Sequence, residues 1–186
     1  MAASVTDGLI PLANAEPGDI VAFQTAGFFA FFIRLGQRMR KRTRPFYRYT
    51  HVAILSDYIE NVPNDRGNSR NWKAIQAAWR VDEDFVDNIA KGRPFIVLRN
   101  PGPNREAAVE MAEQYLGEEY GVLSILSIAF GLLLPFHIAI RASRTVICSA
   151  LAAICLLAGG YKRVWPDIYQ VKPADIVGVL IGENHG

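Results

Sequence analysis

A chain of 186 residues, 51% of them hydrophobic, is long enough for one domain with a proper core, too short for two, and too apolar for a disordered chain. The formal net charge of +2 singles out no class of partner. The two cysteines, Cys148 and Cys155, fall on what reads as one helix, roughly 10 Å apart along its axis, which excludes a disulfide between them and leaves no sign of an oxidising compartment. No Cys and His cluster has zinc spacing, so neither a metal nor another cofactor is expected.

Residues 1–16 are weakly patterned and are expected to form a loose leader, with 17–186 as a single domain. No basic stretch followed by an apolar one marks a signal peptide, so the default expectation is the cytoplasm, with peripheral membrane contact left open. Pro17 and Gly18 signal a turn, and residues 19–24 predict a strand. Residues 27–42 predict an amphipathic helix, with Phe28, Phe31, Phe32, Leu35 and Met39 at helical spacing. Arg34, Arg38, Arg40, Lys41, Arg42, Arg44 and Arg48 crowd around its end. They are either a solvated face or a dock for an anionic surface, phospholipid or wall polymer. The aromatic residues among them are few, so no nucleic-acid partner is expected.

Residues 50–56 predict a strand with His51, Ala53 and Leu55 on one face and Val52, Ile54 and Ser56 on the other. Residues 61–71 predict a loop, 73–78 a strand, 80–88 an acidic surface loop or short helix, and 94–99 another strand. Asn104 caps a helix reaching Leu116, with Gly117 as its stop. Residues 121–140 carry no acidic or basic side chain and have two readings, a membrane span or a buried helix pair broken at Pro135. Residues 146–159 predict a helix of small apolar residues, and 175–181 a last strand. Strands early and helices late give an α+β class.

The chemistry centres on Cys148, in the first turn of its helix. Unpaired N–H groups and the positive end of the helix dipole lower a thiol's pKa there, and the same N–H groups suit an oxyanion. Thiol chemistry also needs an imidazole and a polar group to fix it. Of three histidines, His185 is in the tail and His137 is in the apolar run, whereas His51 starts a strand among small residues. Cys155 lies mid-helix and fits an ordinary buried thiol.

The ordered series PGDIVAF, a basic amphipathic helix, YTHVAIL, KAIQAAW, YLGEEYG, VICSALAAICLLAG and VKPADIV runs from about Pro17 to about Val177. It resembles the circularly permuted branch of the NlpC-type papain-like superfamily, in particular the YiiX/YebB-like group, and more distantly lecithin retinol acyltransferase. The resemblance implies a permuted papain-like fold, a small antiparallel sheet or barrel packed against the helix carrying the nucleophile. It implies Cys148 as nucleophile, His51 as the strand histidine, and Gln76 as the third polar position, where relatives more often have Glu or His. The Gln76 carbonyl would accept Nδ1–H of His51 without supplying a carboxylate's charge. Tyr120 matches a position near the site on the substrate side, followed here by Gly121 instead of the usual acid. Asp19 matches a structural turn. The implied activity is a thiol amidase, peptidase or acyl transferase working through a thioester on a cell-wall peptide or lipid-type acyl substrate. The alternative is an inactive lipid- or wall-binding module of the same fold.

Overall fold

A computed structural model of the chain describes residues 8–40, 43–59, 71–119, 147–163 and 165–182. They form one α+β unit around an open antiparallel sheet of six strands. These are β1 (Leu9–Ile10), β2 (Ile20–Phe23), β3 (His51–Ile59), β4 (Asn71–Ala77), β5 (Val81–Phe85) and β6 (Phe95–Leu98), in the order β1-β6-β2-β3-β4-β5. The helices are α1 (Phe28–Met39), α2 (Val86–Ala90), α3 (Arg105–Glu113), α4 (Cys148–Ala158) and α5 (Pro173–Leu180).

The central strands are apolar on both sides because both sheet faces are covered. Ile20, Ala22, Val52, Ile54, Ile75 and Leu98 meet α3, α4 and α5 on one face. Val21, Phe23, Ala53, Leu55, Ala74 and Val97 meet α2 and Trp72 on the other. Helix α4 buries eight of its residues, and its run of alanines brings it close to β3. At its far end Gly102 touches Gly159 so closely that a Cβ there would lie 2.4 Å from the Gly159 carbonyl oxygen. Beside it, the amide of Asn104 donates to that oxygen at 3.0 Å.

Asp19 is fully buried at the head of β2. It accepts from the amides of Glu16 and Asn100, each at 2.9 Å, and pairs with Arg99 at 3.1 Å. It therefore ties the start of β2 to the end of β6, a structural role in keeping with the turn it follows.

Three expectations are corrected. Residues 80–88 contain strand β5 followed by α2. The acids of β5 mimic a surface loop because β5 is an edge strand, and edge strands carry charge that discourages further pairing. The expected last strand at 175–181 is helix α5. Its apolar run fits either element by composition, and the arbiter is local: Pro173 opens the helix and the Asp175 carboxylate accepts the Lys172 amide at 3.1 Å. The expected leader is tied down from Gly8 onward, since Arg99 donates its amide to the Gly8 carbonyl and Leu9 and Ile10 pair with Leu98 and Val97.

Helix α1 presents its apolar side outward. Phe31, Leu35 and Met39 are 60%, 37% and 66% exposed, whereas Ala30 and Gln37 face inward. Gln37 is the anchor. Its amide nitrogen donates to the carbonyls of Tyr47 (3.0 Å) and Tyr49 (2.9 Å), and its oxygen accepts the Ala174 amide at 2.9 Å. Lys41, Arg42 and the apolar run 121–140 lie outside the described residues. No described helix is long and apolar enough to cross a membrane.

Candidate active site

Strand pairing explains how three sequence-distant residues meet. His51 opens β3 and stands opposite Phe23 of β2, their rings 5.9 Å apart. On the other side β4 pairs Gln76 with Ala53, which places Gln76 diagonal to His51 on the same sheet face. The Gln76 carbonyl oxygen lies 2.8 Å from Nε2 of His51 and accepts its proton. The sequence reading assigned that contact to Nδ1. The structure puts it on Nε2, which leaves Nδ1 for the thiol.

Cys148 is the first residue of α4, after Ile147 in extended conformation. Its sulfur hydrogen-bonds the His51 ring and the backbone amides of Val52 and Ser149. Both partners are largely buried, Cys148 4% and His51 9% exposed. Burial pushes the Cys148 thiol up, but the positive imidazole, its hydrogen bond and the two amides outweigh burial, so the thiol titrates below its ordinary value. Burial pushes His51 down, but the thiolate charge, the hydrogen bonds with Cys148 and Gln76 and the charge of Asp82 hold it above 6.5. The two shifts have opposite signs, the signature of a thiolate–imidazolium pair. Cys155, two turns along the same helix, has no such partner and burial pushes it up to about 12.

Asp82 was missed by the sequence reading. It lies on β5 directly opposite Gln76, with one carboxylate oxygen buried and without a hydrogen-bond partner among the described residues. His51, Gln76 and Asp82 thus form a row across β3, β4 and β5. The amide fixes the ring, and the carboxylate beyond it supplies the negative charge that Gln76 lacks. The hairpin arithmetic could have found it: a tight turn around Trp79 puts position 82 opposite position 76.

His51, Gln76 and Asp82 line a cleft of about 530 Å³ together with Thr25, Trp79 and Arg93. Cys148 is not among its lining residues. Tyr120, the fourth expected site residue, lies outside the described residues, as do His137 and His185. Among the described residues no group of His, Cys, Asp and Glu side chains suits a metal ion.

No family model, curated protein or solved structure matches this chain.

Proposed function

We propose that this protein is a thiol hydrolase or acyl transferase of permuted papain-like architecture, with Cys148 as nucleophile, His51 as acid and base, and Gln76 as the group that orients the ring. One feature carries the reading: Cys148 at the start of α4 and His51 at the start of β3 act on each other's charge, the thiol moved down and the ring moved up, as a pre-formed nucleophile requires. The α+β class, the antiparallel sheet and the order of histidine before cysteine support the same assignment.

In this mechanism the Cys148 thiolate adds to an amide or ester carbonyl. The helix N-terminus at α4 and its amides favour the negative charge that develops on oxygen. Imidazolium Nδ1–H gives its proton to the departing amine or alcohol, leaving a thioester on sulfur and a neutral ring. Water or another acceptor then loses a proton to His51 as it attacks the thioester, and the thiolate leaves, restoring the ion pair. Gln76 holds the Nε2–H tautomer throughout, and Asp82 favours the charged ring. Peptide amides of the cell wall and lipid-type acyl groups are the two substrate classes in keeping with the resemblance.

Alkylation by iodoacetamide at neutral pH tests the reading. The wild type is expected to label at Cys148 faster than a free thiol, His51→Ala to fall to the rate of an ordinary or slower thiol, and Cys148→Ala to show no fast phase. A wild type no faster than free cysteine overturns the nucleophile assignment. The burial of Cys148, outside the lining of the cleft, favours the second reading, a catalytically idle binding module, and equal slow labelling of wild type and His51→Ala is its expected result.

A further inference from the structure

Helix α1 has its apolar row on the wrong side for a soluble core. Phe31, Leu35 and Met39 recur at i, i+4 and i+8 and all face solvent, with Phe28 continuing the row toward Gly27. The inward side is held by a small residue, Ala30, and by the fully satisfied amide of Gln37. Burial in the core therefore does not explain why large hydrophobes stand here. Their surroundings are strongly of one sign. Between Asp19 and Asp57 the chain has seven cationic side chains and no acidic one. Among the described residues none of Arg34, Arg38, Arg40, Arg44 or Arg48 forms an ion pair with a carboxylate. Arg38 and Arg48 instead flank the Tyr47 ring, each 5.9 Å from its centre.

From this we infer that α1 is a docking helix for an anionic lipid bilayer, lying in the plane of the interface with Phe31, Leu35 and Met39 among the acyl chains and the arginines at headgroup level. An apolar row flanked by cations that have no carboxylate partner among the described residues, at a length of about 18 Å, matches the requirement for in-plane insertion and falls short of a span. A protein partner would need carboxylates to meet the arginines and an apolar groove to meet the row; an anionic leaflet supplies both from one continuous surface. Ala30 and Ile33 of the same helix border the cleft that holds His51 and Gln76. Docking of α1 thus places that cleft at the lipid surface. The inference rests on α1 alone and is independent of the Cys148 chemistry.

Vesicle flotation of the full chain tests it, using phosphatidylcholine vesicles with and without phosphatidylglycerol. The wild type is expected to float with the anionic vesicles, to remain behind with the neutral ones, and to be released by high salt. Cys148→Ala should float like the wild type, which separates this result from the catalytic reading. Arg38→Gln combined with Arg40→Gln should lower the partition coefficient roughly thirtyfold, from two lost cation–leaflet contacts. Phe31→Ser, Leu35→Ser and Met39→Ser together should lower it about a hundredfold or more, with the melting temperature unchanged because the row is exposed. No flotation of the wild type, or flotation unaffected by the triple variant, overturns the inference. A clear drop in melting temperature overturns it too, because another part of this chain then covers the row. So does a dimer in the ultracentrifuge that the triple variant dissolves, because the occupant is then a second copy.

Discussion

Replacing Gln76 by alanine removes the acceptor 2.8 Å from Nε2 of His51 and leaves that ring nitrogen without its side-chain partner. A hydrogen bond to a charged group contributes about 1.5–3 kcal/mol. Gln76 is half-buried beside a cleft, where water takes over part of its role, so the lower figure applies. Each 1.36 kcal/mol is about a factor of ten between two protonation states. The thiolate–imidazolium form of Cys148 and His51 should therefore fall about tenfold against the neutral pair. The assay is the pH profile of Cys148 alkylation together with the ultraviolet absorbance of its thiolate. Gln76→Ala is expected to lose most of the thiolate absorbance and label about tenfold more slowly at neutral pH. Gln76→Glu, which adds a charge facing the ring, is expected to keep the imidazolium, and with it the ion pair, to higher pH than the wild type. If both variants titrate and label like the wild type, the amide does not hold the imidazole and the proposed site is wrong.

Asp82→Asn should act in the same direction more weakly, because Asp82 works through space where Gln76 works through a hydrogen bond. It also has a pH signature. His51 titrates above its ordinary 6.5 in the folded chain, so the imidazolium's contribution to stability is fully present below pH 6.5 and is lost as pH rises through the folded value. In Asp82→Asn that loss should be smaller and be complete at lower pH, read as the urea midpoint across a pH series; an unchanged profile refutes a role for the carboxylate. Asp19→Ala strands the amides of Glu16 and Asn100 and leaves Arg99 without its buried partner. It should cost about 3 kcal/mol and lower the melting temperature by about 6–12 °C, measured by calorimetry. Cys155, pushed up to about 12 by burial, should be alkylated only after unfolding, which mass spectrometry of native and urea-treated chain will show.

Much of the architecture was legible where a residue has one physical option. Asn104 caps α3 by accepting the Ala107 amide at 3.0 Å, as its position before an apolar periodicity required. The alternation along β3 assigned faces correctly, Ala53 and Leu55 to one and Val52 and Ile54 to the other, because successive side chains of a strand point to opposite sides. The run after Pro173 was not legible, because a short segment buried on every side has no period to read. Nor was β5, whose acids satisfy an edge strand and a surface loop equally well. At the site, residue types and positions pointed to Cys148 and His51, and the resemblance added Gln76. Which ring nitrogen meets the amide, and that Asp82 backs it, depend on strand register, which composition does not encode.

The three hydrogen bonds of Gln37 have a mechanical consequence. One side chain fastens the outer helix to the first turn of α5 and to Tyr49, two residues ahead of His51. The helix cannot swing away on its own without stranding a buried amide. A force applied to its outer face is borne by the same rigid frame that seats the imidazole, so tilting the helix amounts to tilting the whole body.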